Sequence, residues 1–280
     1  MTLPPGFDAV RVRAVAMDLD HTILGDSLEF RPALVDAVHA VRGAGVEPIV
    51  ATGRMFASAR PYARELGIQA PVICYQGALI ADPATGEWLR HEPLEVPLAR
   101  QVIRFVESHG FHMNVYVDDR LYVEELNEEA IRYATHARLE AHPVGNLEHW
   151  LEHPTTKIVV VGDPEALDDL ETAMRGNFGD RLFVAKSLPY FLEIARPGVS
   201  KGAALHFVCD YLGIDPLDTV SFGDGANDVE LLRDAGLGVA VEGADPVLAA
   251  VAGWTVPSVE QDGVARFLAA IVSARCSTPG

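Results

Sequence analysis

Cysteine is scarce in this chain, and long hydrophobic runs are absent. Three cysteines occur among 280 residues, at Cys74, Cys209 and Cys276, without the spacing of a metal site or a disulfide framework. This usage is typical of a protein kept reduced, so we expect a cytoplasmic location. No apolar stretch approaches the roughly 20 residues that span a membrane. Residues 1–10 also lack the charged and then apolar pattern of a signal peptide.

Positive charge is scarce as well. Lysine and arginine together number 22 against 40 aspartates and glutamates, which gives a formal net charge of −18 at pH 7. Nucleic acids and anionic membranes are bound through basic patches that displace counterions, so we expect neither as a partner. The lysines are only Lys157, Lys186 and Lys201. A site for an anionic substrate must therefore supply its own local positive charge.

What the chain does contain is a repeated alternation of strand and helix. Apolar runs at residues 12–17, 46–51 and 71–74 read as strands, and residues 31–44 and 56–66 between them have helical spacing. Such a βαβαβ pattern predicts an α/β fold, in which a parallel sheet carries helices on both faces. The same pattern returns after Pro197-Gly198.

The middle of the chain follows a different pattern. Between residues 82 and 195, predicted hairpins alternate with helices, which favours an antiparallel sheet covered on one side. We therefore predict one α/β core, formed by residues 1–81 and 196–280, that is interrupted by an inserted α+β domain over residues 82–195.

Two acidic residues follow the first predicted strand. Asp18 and Asp20 are two positions apart, so on extended chain both carboxylates point to one spot at the end of the strand. Two acids at one spot repel each other unless a cation lies between them or one of them keeps its proton.

Three further polar segments begin a helix or end a strand of the predicted core. The four segments are Asp18-x-Asp20-x-Thr22, Thr52-Gly53-Arg54, Ser200-Lys201-Gly202 and Gly223-Asp224-Gly225-Ala226-Asn227-Asp228. Strand ends of one parallel sheet converge on one crevice. Two acid pairs, a hydroxyl and a lysine in one crevice are what phosphoryl transfer requires, since a carboxylate can attack while a metal and a cation offset charge.

In this order, the four segments resemble those of the haloacid dehalogenase superfamily, and specifically of Cof-type phosphatases with a C2 cap (subfamily IIB). The resemblance implies a Rossmann-like core with an inserted cap that closes over the crevice. It implies that Asp18 is the nucleophile and that Asp20 protonates the leaving alcohol and then takes a proton from water. Thr52 would bind the transferred phosphoryl group, and Lys201 would neutralise the charge between Asp18 and phosphate.

The resemblance also implies a Mg²⁺ cofactor. Its ligands would be Asp224, the Asp18 carboxylate and the Asp20 backbone carbonyl, and Asp228 would support the ion through water or a neighbouring hydrogen bond. Further substrate contacts are expected from Gly53, Arg54, Gln76 and Asn227, in addition to Thr52. In the predicted cap, Lys186 is our candidate for a substrate contact.

The sequence departs from the usual family pattern in three places. His21 replaces a usual glycine, Gln76 a usual asparagine, and Glu242-Gly243 a common Asn-Ala pair. None of these changes removes a catalytic group, so we expect them to bear on specificity. His149 and His153 have a spacing that zinc ligands use, but no acidic ligand accompanies them, and we expect no zinc site.

These observations predict a phosphatase that hydrolyses a small phosphorylated metabolite, such as a sugar phosphate, a nucleotide or a phosphorylated cofactor, and that is a monomer or homodimer. A phosphomutase of the same superfamily is the alternative enzyme. A receiver-type signalling domain, which accepts phosphate without turnover, also carries acids, a threonine and a lysine on a parallel sheet. The second aspartate and the large insertion argue against a receiver, and a non-catalytic binding module would need a broken motif.

Overall fold

The computed structural model describes residues 2–277, apart from the side chain of His136. The strands, in chain order, are β1 (Ala14–Met17), β2 (Glu47–Val50), β3 (Val72–Cys74), β4 (Leu79–Ala81), β5 (Trp88–His91), β6 (His112–Val117), β7 (Arg120–Val123), β8 (Ala141–Pro143), β9 (Lys157–Val161), β10 (Phe183–Leu188), β11 (Phe191–Ala195), β12 (Thr219–Gly223), β13 (Leu237–Val241) and β14 (Trp254–Val256). The helices are α1 (Pro32–Gly43), α2 (Phe56–Glu65), α3 (Val96–Ser108), α4 (Glu128–Ala137), α5 (Leu147–Trp150), α6 (Pro164–Phe178), α7 (Lys201–Leu212), α8 (Val229–Asp234), α9 (Pro246–Ala249) and α10 (Gly263–Ser277). Over the described residues, none of these helices combines the length and the apolar character needed to cross a membrane.

The chain forms two compact units. Residues up to 90 and from 200 onward make up the first unit, and residues 91–199 make up the second. The boundaries predicted above, 81/82 and 195/196, both lie earlier in the chain. The first unit includes residues 82–90 because β3, β4 and β5 share a three-stranded sheet. The chain therefore adds β4 and β5 beside β3 before it enters the second unit.

The first unit is built on a five-stranded sheet in the order β14-β13-β12-β1-β2. All four strand pairs are parallel, which confirms the predicted parallel α/β sheet. β1 lies inside this sheet and all four of its residues are buried, as expected of an apolar run with helices on both faces. β3 is linked to this sheet by a parallel bridge between Ala51 and Ile73, and it pairs antiparallel with β4.

The second unit is a six-stranded sheet in the order β10-β11-β9-β6-β7-β8. Its pairs are antiparallel except that of β7 with β8, which is parallel. One face is apolar, because alternate residues of β6, β9 and β11 form a core with buried side chains of α3 and α6. This arrangement confirms the α+β pattern expected for the middle of the chain.

The second unit also contains an ion pair outside its apolar core, between Lys157 of β9 and Glu193 of β11. Lys157 Nζ lies 3.2 Å from Glu193 Oε1 and above the Tyr116 ring, 5.3 Å from its centroid. Burial would lower the pKa of Lys157, but the charges of Glu193 and Tyr133 and the hydrogen bond with Glu193 together raise it above its usual value. Lys157 therefore belongs to an internal ion pair of this unit.

Candidate active site

The candidate site of the first unit lies where β1 ends. Asp18 follows β1 directly, and its backbone N–H continues the pairing with β12 by donating to Phe222 O at 3.0 Å. Its side chain is buried. The chain then turns back, and His21 takes a left-handed φ of 58°. That conformation costs a non-glycine residue roughly 1 kcal/mol, which explains physically why glycine is usual at this position.

Lys201 supplies the positive charge at this site. It is the first residue of α7, whose N-cap Ser200 accepts a hydrogen bond from Ala203 N. Its Nζ donates to Asp18 Oδ1 and to Asp228 Oδ1, at 2.6 Å in each case. Burial would lower the pKa of Lys201, but the two carboxylates raise it above its usual value. The ammonium group is therefore held charged inside the protein.

Three carboxylates lie close together at this site, and two of them, Asp18 and Asp228, accept hydrogen bonds from Lys201. Asp18, Asp224 and Asp228 each offer an oxygen within 4.8 Å of the others. Burial raises the pKa of Asp18 well above its usual range, Lys201 opposes that shift and Asp228 reinforces it. Burial also raises the pKa of Asp224, against the effect of a hydrogen bond from Thr22 Oγ1 at 2.8 Å. Three acids against one lysine leave negative charge that a bound cation would neutralise.

The donor set fits Mg²⁺, which prefers carboxylate and carbonyl oxygens. Asp228 is already engaged on both oxygens, because Oδ1 accepts from Lys201 and Oδ2 accepts from the backbone N–H groups of Asp224 and Gly225 at 3.2 and 3.1 Å. Asp228 thus shapes the loop after β12. Gly223 begins this loop, where a Cβ atom would lie 2.5 Å from the Cβ of Asp228. In Asp18 and Asp224, by contrast, Oδ1 accepts from Lys201 and from Thr22 respectively, and the Oδ2 atom of each is the one that could bind an ion.

The loop after β2 brings a second group of residues to the first unit's sheet edge. Thr52 is buried, and its Oγ1 accepts from the backbone N–H of Arg54 at 3.2 Å. A Cβ atom at Gly53 would collide with the amide of Gln76. The Arg54 guanidinium donates to both carboxylate oxygens of Asp20, with a Nε–Oδ2 distance of 2.8 Å. The Asp20 carboxylate thus pairs with Arg54, whereas the carboxylates grouped with Asp18 are those of Asp224 and Asp228.

A strained turn after β3 links two of the predicted segments. Tyr75, Gln76 and Gly77 have consecutive positive φ values of 51°, 59° and 105°. Gln76 Oε1 accepts from Asn227 Nδ2 at 3.0 Å, which ties the turn to the loop after β12. At Gly77 a Cβ atom would collide with the carbonyl oxygen of Ser200, just before Lys201. Strain of this kind persists where the surroundings fix it, often at functional sites.

The four predicted segments therefore meet in the first unit. Sequence reasoning did not identify the strain of residues 75–77 or Tyr62, whose ring lies 5.0 Å from the Arg54 guanidinium carbon. The glycine at position 77, directly after a short apolar run, was a sequence signal for this turn. A tyrosine inside a helix, in contrast, gives no sequence signal that it contacts an arginine of another segment.

Lys186 and the histidine pair lie in the second unit. Lys186 Nζ donates to Pro164 O at 2.7 Å and pairs with Asp168, so it contacts α6, and its role toward substrate stays a prediction. Within residues 2–277, Asp18, Asp224 and Asp228 form the one group of three acid, histidine or cysteine ligands close enough to share a metal ion. His149 and His153 do not belong to such a group.

Most of the chain is similar to known proteins. The family described as haloacid dehalogenase-like hydrolase matches residues 15–268. The 5-amino-6-(5-phospho-D-ribitylamino)uracil phosphatase YitU of Bacillus subtilis (strain 168) is 27% identical, over 91% of this chain and 95% of its own. Pyridoxal phosphate phosphatase YbhA of Escherichia coli (strain K12) is 29% identical, over 91% and 97%. The HMP-PP phosphatase of Cronobacter sakazakii is 30% identical, over 85% and 87%.

Solved structures show the same architecture. A crystal structure from Thermotoga maritima superposes with a TM-score of 0.85 at 30% identity, covering 92% of this chain and 97% of that one. A haloacid dehalogenase-like hydrolase from Bacteroides thetaiotaomicron gives a TM-score of 0.86 over 93% and 99%; at 22% identity this likeness concerns the fold alone.

Proposed function

This chain belongs to the haloacid dehalogenase-like hydrolase family and is a phosphatase, and from that premise we propose that it hydrolyses small phosphomonoesters in a Mg²⁺-dependent reaction through an aspartyl-phosphate on Asp18. The observation that carries the proposal is the buried contact of Asp18 with Lys201, beside Asp224 and Asp228. A nucleophilic carboxylate needs to be ionised, and Lys201 favours that form at a buried position that otherwise disfavours it.

In the first proposed step, an Asp18 carboxylate oxygen attacks phosphorus and the bond from phosphorus to the leaving oxygen breaks. Asp20 gives its proton to that oxygen, so the product leaves as an alcohol. Lys201 stays bonded to Asp18 and offsets the negative charge that gathers as phosphate approaches. In the second step, water attacks phosphorus, its proton passes to Asp20, and Asp18 is released with inorganic phosphate.

Mg²⁺ would be held by the carboxylates of Asp18 and Asp224 and the backbone carbonyl of Asp20. When bound, it would neutralise charge on the phosphoryl oxygens and on the acid cluster. Thr52 and Asn227 remain the proposed donors to the phosphoryl group, and Asp228 supports the loop that carries Asp224 through its two backbone hydrogen bonds.

We propose a small phosphorylated metabolite as the substrate. The relatives named above act on a phosphorylated ribitylaminouracil, on pyridoxal phosphate and on HMP-PP, which are small phosphorylated compounds. By the resemblance, the inserted domain would choose the leaving group. We place the reaction in the cytoplasm and keep a monomer or homodimer as the expected state.

The test is release of inorganic phosphate from a panel of such compounds with Mg²⁺. Turnover should disappear with EDTA, return with excess Mg²⁺, and be absent in Asp18→Asn. Asp26→Asn is the matched control, because Asp26 lies in the same loop with a fully exposed side chain (95%), and it should keep wild-type turnover. Turnover that resists EDTA or survives Asp18→Asn would contradict the proposal. Conversion of one phosphate ester to another without phosphate release would indicate a phosphomutase.

A further inference from the structure

We propose that Arg54 is a positioning residue that orients the carboxyl group of Asp20 for proton transfer, and that Tyr62 holds Arg54 in place. The inference rests on the proposed function, in which Asp20 protonates the leaving oxygen. It replaces the substrate contact that the resemblance implied for Arg54.

The contact between Arg54 and Asp20 fixes the carboxyl group in two directions. Arg54 Nε donates to Oδ2 at 2.8 Å while Nη2 donates to Oδ1, so both oxygens are held by one rigid guanidinium fork. The Asp20 side chain is 39% exposed and the Arg54 side chain 19% exposed. Asp20 is thus open to an incoming molecule, while the group that orients it is mostly covered. Each carboxyl oxygen has a second lone pair, so Asp20 can carry a transferable proton without releasing Arg54.

The other side of the guanidinium group is held by α2. Its carbon lies 5.0 Å from the centroid of the Tyr62 ring, within the range of a cation–π contact. Tyr62 is itself braced by Phe30, whose ring meets it edge-on with centroids 5.6 Å apart. The backbone of Arg54 is fixed as well, since its N–H donates to Thr52 Oγ1 and its carbonyl accepts from Tyr75 N at 3.0 Å.

A positioning role and a phosphate-binding role predict different substrate dependence. A residue that binds the phosphoryl group affects every phosphate ester alike, because all of them present the same group. A residue that orients the proton donor affects only esters whose leaving oxygen needs a proton. An alkyl phosphate, which releases a strongly basic alkoxide, needs it; p-nitrophenyl phosphate, which releases a weakly basic phenolate, does not.

The experiment measures kcat/KM of the Mg²⁺-loaded enzyme for these two esters, since kcat/KM covers only the steps up to loss of the leaving group. General acid catalysis contributes about 10²–10⁴-fold. We expect Asp20→Asn and Arg54→Met both to lose at least about 10²-fold on the alkyl phosphate and several-fold at most on p-nitrophenyl phosphate. Arg54→Lys offers one hydrogen bond in place of two, so its loss of kcat/KM on the alkyl phosphate should lie between those of wild type and Arg54→Met. Tyr62→Ala should lose less kcat/KM than Arg54→Met, and again mainly on the alkyl phosphate.

A double variant makes the test independent of folding differences. Adding Arg54→Met to Asp20→Asn should cost nothing further on the alkyl phosphate, because there is no proton donor left to orient. Arg11→Met is the matched control, because Arg11 pairs with Asp218 at the surface of the same unit and its side chain is 68% exposed. This substitution should leave kcat/KM unchanged for both esters.

Equal losses of Arg54→Met on both esters, or a multiplicative loss in the double variant, would overturn the positioning role and assign Arg54 to phosphate binding. Equal losses of Asp20→Asn on both esters would overturn the acid role of Asp20 itself. The two outcomes can be told apart. If only the role of Arg54 is wrong, Asp20→Asn still loses kcat/KM mainly on the alkyl phosphate, whereas Arg54→Met loses it equally on both esters.

Discussion

At the scale of single residues, one buried ammonium group organises the site. Lys201 donates to Asp18 and Asp228, and the loop hydrogen bonds of Asp228 extend that contact to Asp224. The lysine begins a helix, where the helix dipole disfavours a positive charge. The two carboxylates explain why the ammonium group is nevertheless stable there.

Removing Lys201 should destabilise the protein more than removing one of its partners. In Lys201→Met, Asp18 and Asp228 are left buried without a cation, and breaking a buried pair in this way costs about 3–5 kcal/mol. In Asp18→Asn, the lysine keeps its bond to Asp228, so the cost should be smaller. Urea unfolding in metal-free buffer gives both free energies of unfolding. Equal stability of Lys201→Met and wild type would show that the pair contributes nothing.

The grouping of four polar side chains was predictable, but the pairing of Asp20 was not. The order of the acid, threonine, lysine and glycine motifs was sufficient to name Asp18, Lys201, Asp224 and Asp228, and the structure brings them together. The two-residue spacing also suggested that Asp20 would share a spot with Asp18. The chain turns at residues 19–24 instead of staying extended, and the Asp20 carboxylate meets Arg54. Which arginine takes that place depends on tertiary contacts that spacing does not encode.

At the scale of elements, the site is assembled from the short connections that follow strands. The turn of residues 75–77 holds three positive φ values, and its last residue packs against the segment that starts α7. Close packing at Gly77 therefore sets the position from which Lys201 reaches Asp18. We therefore expect a substitution in this turn to lower activity, although no residue of the turn belongs to the acid cluster.

Gly77→Ala should lower both stability and activity. Its φ of 105° is strained for alanine, and the new methyl group would collide with Ser200 O. Gly213→Ala is the matched control: its φ of 66° is also positive, but a Cβ atom there meets nothing within 4 Å. The control should cost only about 1–2 kcal/mol, and Gly77→Ala clearly more. Thermal unfolding and phosphate release measure the two effects. Similar losses in both variants would show that packing at Ser200 is unimportant.

The helices of the first βαβαβ pattern were predictable from the sequence, whereas several very short elements elsewhere were not. The helices predicted over residues 31–44 and 56–66 are α1 (Pro32–Gly43) and α2 (Phe56–Glu65), so their positions agree to within about one residue. Strands β4 and β8 have three residues each, and α5 and α9 have four. Segments of that length are too short to show a period of 2 or 3.6 residues, and their pairing partners determine them.

At the scale of the whole molecule, the chain is one discontinuous unit and one inserted unit. The insertion was recognisable because hairpins replace the strand–helix alternation. Its limits were harder to place, since β5 pairs within the first unit although its sequence resembles the hairpin strands that follow. The family comparisons confirm the superfamily and the α/β fold that the four motifs implied.

The second unit should make stability depend on pH. Burial lowers the pKa of His112 below its usual 6.5, against hydrogen bonding to Asn114 and the nearby charges of Glu129, Glu124 and Glu125. The unfolded chain therefore binds a proton more readily, and the contribution of His112 is lost as pH falls from about 6.5 through the lowered folded-state pKa. His91, the last residue of β5 and the first residue of the second unit, has its pKa lowered by burial and adds to the effect.

Chemical unfolding followed between pH 7.5 and pH 5 measures this slope. His112→Asn should reduce the loss of stability on acidification, whereas His149→Asn, which changes an exposed histidine of the same unit, should leave it unaltered. An unchanged slope in His112→Asn would show that the titration of His112 is not coupled to folding.

The central claim is that Asp18 carries the phosphoryl group, and trapping that intermediate tests it most directly. In Asp20→Asn, hydrolysis of the aspartyl-phosphate should be slow, because the residue that accepts a proton from water is missing. The intermediate can still form from p-nitrophenyl phosphate, whose leaving group needs no proton donor. The Mg²⁺-loaded variant is mixed with this ester, quenched, reduced with borohydride and digested for mass spectrometry. We expect homoserine in place of aspartate at position 18, only when substrate was present. Phosphate release with Asp18 unmodified, or reduction at another carboxylate, would contradict the account.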